Sequence, residues 1–491
     1  MERLAILLPV AGYILFTMLL ALWCRRYLAR SGGGGFIEEY FIGGRSMGGF
    51  VLAMTIIATY TSASSFIGGP GVAYSLGLGW VLLAMIQVPT AFLTLGVLGK
   101  RFAILGRRLK AVTIVDFLYA RYRDDRIVVF CSVALLVFFM ASMLAQFIGG
   151  GRVFQAVTGY SYEAGLAIFG VSVVLYTTIG GFRAVALTDA VQGIVMVLAA
   201  VVVMLAVLDA GGGLANSIQT LKATDSGLIT PHGPNNSIPG PFLFSFWILV
   251  GLGILGLPQT VQRCFGYRDS KAMHRAMILG TLIIGFLLLC THLAGALGRA
   301  VLPGLESGDL VMPTLAIDLL PPFWAGVFVA GPLAAIMSTV DSMLLLVSAS
   351  IVKDLYIRYQ LKGDVAKIPP RKISAMSLGC TLVVGLLVFL AAFNPPDLLV
   401  WINLFAFGGL EAVFLWPIVL GLYWRKANAC GALASMACGV GMFMLLSITK
   451  WPVLGLHPIV PTLACSGLAF AVGQRLGRPA NPAVVRLFWG D

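Results

Sequence analysis

Two hydroxyl side chains, Ser338 and Thr339, stand side by side in an otherwise apolar run, GPLAAIMSTVDSMLLL, at residues 331–346. Ala335 lies one helical turn before them. A second run, TYTSASSFIGGPG at residues 59–71, mixes five Ser and Thr with three Gly and one Pro inside another apolar stretch. Small hard cations take oxygen ligands. Gly and Pro weaken a helix, and unwound backbone frees carbonyl groups that lipid cannot satisfy. Two hydroxyls plus carbonyls released at such a break would form a neutral cage of about five oxygens. Nothing in that cage titrates, which favours Na⁺ over H⁺. Ser and Thr also bond back to their own helix, so the pair alone leaves both readings open.

The elements that position these groups must be membrane helices. The chain has 491 residues, 59% hydrophobic and 11% charged, too few charges to coat a soluble domain. A span needs about 20 apolar residues, and about thirteen stretches qualify, among them 48–77, 163–180, 188–208, 241–262 and 322–352. Placing the N-terminus outside puts most of the 33 Lys and Arg in inside loops, including the cluster 100–126 and the run 263–275. The C-terminus is then inside. The net charge of +13 reads as topology, not as nucleic-acid binding. The segment 100–123 suggests an interfacial helix with Val112, Ile114, Val115, Phe117 and Leu118 toward lipid.

Two spans are damaged. The second is interrupted at Gly68, Gly69, Pro70 and Gly71, and the seventh around Gly256 and Pro258. Each opens a unit of five spans, and an odd number forces the two units into opposite orientations. Paired interruptions in inverted halves point to a transporter's midplane site. The chain divides into a leading helix at 1–30, a first repeat at 45–210, an inverted repeat at 240–425, two trailing helices at 430–475 and a tail at 476–491.

Stretches such as ATYTSASSFIGGPG, QFIGGGR, GGFRAVALTDAVQG, AAIMST and FAFGGLEAVFLWP make the chain resemble the sodium/solute symporter family, and most the branch of it that carries pantothenate. The resemblance implies an all-α polytopic membrane protein with the leucine-transporter-type fold, two inverted five-helix repeats and Na⁺-coupled uptake at the plasma membrane. It implies a sodium site on the carbonyls of Ala58, Thr61 and Ala335 and the hydroxyls of Ser338 and Thr339. It also implies a sodium-exit role for Asp189, at the inner end of the sixth span. A solvated carboxylate at a helix start is the other reading of that residue.

The expected partners are pantothenate, Na⁺ and the lipid bilayer, with no cofactor, no nucleic acid and a monomeric working unit. Proline-carrying relatives have an Asp where this chain has Tyr60, which disfavours an ammonium substrate. Ser62, Ser64, Ser65, Gln87 and Gln146 are the candidate polar contacts for the substrate, with Phe244, Trp247 and Ile254 on the seventh span for its methyl groups. Helix packing explains any one of them equally well. Glu411 sits mid-span, where a carboxylate is costly and a partner or a role is expected. Arg152, near a span's outer end, can snorkel. Four dispersed His, eight scattered Cys without a CxxC pair and the lack of an HExxH motif argue against a zinc site, a disulfide frame and a membrane enzyme. A channel is disfavoured because no ring of repeated pore residues accompanies the breaks.

Overall fold

The computed structural model describes residues 2–28, 38, 42–177, 181–305, 307–363, 368–394 and 399–490. Gly180, at the head of the GGFRAVALTDAVQG stretch, lies outside them. The described chain is helical, with one isolated bridge between Met47 and Tyr267. Among the described residues, ten helices are long and apolar enough to cross a membrane. Two further pairs pass only as bent spans, Gly49–Tyr60 with Ser64–Leu76 at 71° and Gly240–Gly256 with Pro258–Phe265 at 47°. The expected span at 163–180 is the helix Tyr162–Thr177, whose apolar part is a shorter helix, Tyr162–Val174.

Burial ranks these helices. Of the best apolar window, 89% is buried in Pro322–Gln360 and 78% in Leu399–Tyr423, against 28% in Leu4–Trp23. The first two are therefore central, and both carry the polar residues singled out above. Outer helices turn Leu205, Leu282, Leu386 and Leu468 outward, as lipid contact requires.

The first bent span breaks earlier than the glycines suggest. The helix Gly49–Tyr60 ends at Thr61, which is extended at φ −72°, ψ 127°. Gly68 and Gly69 are themselves helical, at the junction of a π-turn, Ser64–Gly68, with the helix Gly69–Leu76. These glycines permit close approach instead of unwinding. A Cβ on Gly69 would strike the His292 ring and, at 2.7 Å, the Ser64 carbonyl. One on Gly71 would strike the Gly308 backbone, and one on Gly295 the backbone of Pro70. Pro70 occupies the first turn, where its missing N–H costs nothing. The second bent span does turn between Gly256 and Pro258: a 3₁₀ turn, Gly253–Gly256, leads into extended Leu257, and Pro258 opens the next helix.

The segment expected at the interface differs as well. Lys100–Leu109 continues the preceding span, and Ile114–Tyr122 is a separate short helix. Val112, Ile114, Val115, Phe117 and Leu118 are buried in protein. Phe117 meets Phe102 at 4.6 Å and Phe488 of the C-terminal helix at 5.7 Å. That helix, Pro482–Trp489, covers the apolar face that would otherwise meet lipid.

Candidate ion and substrate site

The break at Thr61 disposes of its own backbone groups locally. Thr61 N–H still bonds the Ile57 carbonyl at 2.7 Å, while Ser65 N–H turns to Ser62 O at 3.0 Å. Ser62 N–H reaches Ser65 Oγ at 3.4 Å and Ser64 N–H reaches Ser62 Oγ at 3.2 Å. Ala63 N–H donates to Gln146 Oε1 at 2.8 Å. Hydroxyls and one amide thus replace the helix ladder, which is why the break is rich in serine. The carbonyls of Ala58 and Thr61 lose their usual helical donors.

Two hydroxyls from the central helix Pro322–Ala349 meet those carbonyls. Ser338 Oγ donates to Ala58 O at 2.7 Å or Ala335 O at 3.0 Å. Thr339 Oγ1 donates to Thr61 O at 2.9 Å or Ala335 O at 2.8 Å. The three carbonyls and two hydroxyls named in the sequence therefore converge on one point, and all five residues are buried. The set is neutral and all oxygen, the chemistry that a bare alkali cation takes in place of water.

A charged layer lies one turn further along. Ser342 Oγ donates to Ser338 O at 2.9 Å and accepts from Arg263 Nη2 at 2.6 Å. Thr55 Oγ1 donates to Asp189 Oδ2 at 2.5 Å and accepts from Arg263 Nε at 3.3 Å. Arg263 Nη2 stands 3.4 Å from Asp189 Oδ2, and both side chains are buried. The solvated reading of Asp189 is therefore excluded. Arg263, which sequence analysis placed in an inside loop, instead lies in the 3₁₀ turn Gln262–Phe265 directly after the second break. Its signal was indirect: a carboxylate within a span demands a cation.

Beside the break is a small cavity lined by Tyr60, Ser64, Trp80, Gln87, Phe246 and Asn403, among others. Tyr60 donates its hydroxyl to Gln87 Oε1 at 2.8 Å. Ser142 donates to Asn403 Oδ1 at 2.7 Å, which leaves the Asn403 amide NH₂ for the cavity. Ser64 Oγ is buried and has no hydrogen-bond partner among the described residues. Trp80 packs edge-on to Phe246 at 5.4 Å and to Trp401 at 5.8 Å. The free volume is about 40 Å³, enough for a few waters and far below the roughly 300–1,000 Å³ of ligand pockets.

The expected substrate contacts divide. Ser62, Ser64, Ser65 and Gln87 line the cavity. Gln146 does not; it holds the break through Ala63 N–H. Phe244 and Trp247 are each 52% exposed and face away. Ile254 is buried but outside the cavity wall. The π-turn Trp247–Leu252 shifts the register of this helix, so Phe246 and Val250 face inward. Sequence analysis missed these two, along with Trp80, Asn403, Phe407 and His292. Arg152 packs its guanidinium 4.7 Å from the centre of the Tyr162 ring.

A family model described as Sodium:solute symporter family matches residues 40–439. The sodium/pantothenate symporter of Escherichia coli (strain K12) is 51% identical over 483 residues, covering 98% of this chain and 99% of that protein. The protein of that description from Haemophilus influenzae is 50% identical, covering 97% of each chain. A sodium/proline symporter of Staphylococcus aureus is 28% identical, with 95% and 92% covered. Among solved structures, a substrate-bound, outward-open Na⁺-coupled sialic acid symporter superposes with a TM-score of 0.81 at 19% identity, covering 98% of both chains. Mhp1, a nucleobase-cation-symport-1 transporter in a closed conformation, gives 0.54 at 16%, covering 91% and 97%. Those two likenesses speak to the fold. With the matched model spanning most of the chain and half of all residues shared with full-length relatives, the protein belongs to the sodium:solute symporter family.

Proposed function

We propose that the protein is a secondary active transporter that imports pantothenate with Na⁺ by alternating access, as a multi-pass protein of the plasma membrane. The observation that carries this reading is the meeting of Ser338 and Thr339 with the carbonyls of Ala58 and Thr61 across the first break. An ion held there would tie the central helix to the broken span. The position of the broken span would then depend on Na⁺, which is the coupling a symporter needs.

Pantothenate has one carboxylate, two hydroxyls, an amide and a gem-dimethyl carbon. The cavity offers Ser64, Gln87, Tyr60 and the Asn403 amide for polar groups, and Trp80, Phe246, Val250 and Phe407 for methyls. A cavity of about 40 Å³ must widen to admit it, so binding and helix movement go together. Asp189 then serves the Na⁺ leaving the cage toward the inside.

In this reading the chain has thirteen spans in two inverted five-helix repeats, with the N-terminus outside and the C-terminus inside, and works as a monomer. Contact between the C-terminal helix and the basic segment supports a shared side for both: Arg108 Nη1 donates to Leu487 O at 2.7 Å, and Arg121 lies 5.1 Å from the Trp489 ring centre.

The test is uptake of labelled pantothenate into proteoliposomes holding the purified protein, with an inward Na⁺ gradient, with K⁺ replacing Na⁺, and with other small carboxylates as competitors. Na⁺-dependent, saturable accumulation supports the reading. Accumulation of a competitor in preference to pantothenate would assign a different carboxylate substrate.

A further inference from the structure

Glu411 is the thirteenth of 25 residues in the helix Leu399–Tyr423. It is fully buried, and neither carboxyl oxygen has a hydrogen-bond partner among the described residues. Its carboxyl lies against the 3₁₀ turn of the second break: a Cβ on Gly253 would collide with it, and one on Gly256 would come within 3.1 Å of the Glu411 Cα. Two glycines of the break thus make room for one acidic side chain.

The helix just before Glu411 is packed against aromatic rings: Phe138 lies on Gly409 and Phe443 on Gly408. Among the described residues no Lys, Arg or His bonds to Glu411. An ionised carboxylate in such a place costs several kcal/mol, far more than the neutral acid. A proton needs only one carboxyl oxygen to bind.

We propose that Glu411 is a proton-binding site of the transport cycle: it is a neutral acid while the second broken span lies over it, and it takes up one proton each time that span closes. The balance is simple. In an open state water reaches the carboxyl, which ionises at neutral pH as ordinary carboxyls do. On closure the carboxylate accepts a proton from solvent, forms the acid O–H and enters the apolar contact uncharged. Phe407 and Val250, one turn away from Glu411 and Gly253 respectively, line the substrate cavity, so widening the cavity and uncovering the carboxyl draw on the same pair of helices. Proton uptake and substrate occlusion are thereby linked.

Two measurements on the full-length protein test this; the second rests on the proposed substrate and the first does not. In the infrared spectrum at neutral pH, with the second broken span held closed by a cross-link to the helix Leu399–Tyr423, wild type minus Glu411→Gln should show the carbonyl-stretch band of a protonated carboxylic acid. Its absence overturns the inference, whatever the substrate. In weakly buffered solution with an indicator dye and saturating Na⁺, binding of pantothenate should take up about one proton per molecule bound. Affinity should fall by up to tenfold per pH unit between pH 6 and 8. Glu411→Gln, which mimics the neutral acid, should bind with less than twofold pH dependence and no proton uptake. Binding without proton uptake in wild type overturns the inference. So does a folded Glu411→Gln protein that cannot bind, or one that keeps the wild-type slope, which would move the titration to His292 at the cavity wall. Failure of wild type to bind pantothenate refutes the substrate, and the infrared band still decides the site.

Discussion

Replacing Thr339 by Val removes one oxygen from the proposed cage and keeps the branched shape. Thr339 Oγ1 lies 2.9 Å from Thr61 O and 2.8 Å from Ala335 O. The side chain is 1% exposed, so no bulk water replaces the lost ligand. An interaction between a neutral dipole and a charged group contributes about 1.5–3 kcal/mol, and each 1.4 kcal/mol is a factor of ten. The Na⁺ concentration for half-maximal uptake should therefore rise roughly 10–150-fold. Thr339→Ser restores the hydroxyl and should stay within about threefold of wild type. The assay is initial uptake against external Na⁺ at saturating substrate, with substrate affinity measured separately at saturating Na⁺, where the change should be smaller. Wild-type Na⁺ dependence in Thr339→Val protein that is inserted and folded would refute the cage.

Further outcomes follow from the other geometry. Gly69→Leu should abolish uptake without blocking insertion, because the added side chain meets His292 and the Ser64 carbonyl; Gly68→Ala, whose methyl meets the Leu399 and Val400 side chains first, should retain most of it, and equal uptake by both proteins would refute the packing argument. Arg263→Gln leaves Asp189 buried without its cation, at about 3–5 kcal/mol; Asp189→Asn with Arg263→Gln should unfold at a higher temperature than Arg263→Gln alone. Phe246→Ala should weaken substrate affinity several-fold in a binding assay and Trp247→Ala should not, since only the former lines the cavity. Burial pushes the Asp116 carboxyl up, but the Lys353 ammonium and the Val112 N–H more than reverse it and hold it below the usual carboxylate range. A lowered carboxylate contributes stability above its unfolded value near 3.8, and that contribution is lost as pH falls through the folded value. Asp116→Asn should therefore flatten the acid limb of thermal stability between about pH 5 and pH 2.

The helical membrane class was legible because lipid leaves little choice once charge falls to 11%. Ala58, Thr61, Ala335, Ser338 and Thr339 could be named together because a family pattern joins two segments that lie far apart in the chain; their convergence is a fact of geometry. Other residues were opaque for identifiable reasons. Glycine has two uses, unwinding and close approach, and Gly68 to Gly71 could not declare which applied. The unwinding fell on Thr61 and Ser62, where Ser62, Ser65 and Gln146 supply the missing hydrogen bonds. Arg263 was counted among loop cations because topology rules read charge at span ends without seeing a second break fold back into the core. Trp247 was preferred to Phe246 because a 3.6-residue period cannot anticipate the π-turn that rotates one face past the other.

The contact of the half-helix Gly69–Leu76 with its surroundings has a mechanical consequence. Gly71 lies on the Gly308 backbone, and the Pro70 backbone lies on Gly295. Joints made of main chain contain no rotamers, so they have no soft mode through which to yield. That half-helix must travel with the helices Ser270–Val301 and Gly308–Leu319 as one stiff lever arm. All the flexing is then left to Thr61 and Ser62, and a methyl group at Gly71 or Gly295 would act as a shim in the bearing. The cage carbonyls of Ala58 and Thr61 sit at that fulcrum, where a small angular change in the lever moves them against Ser338 and Thr339.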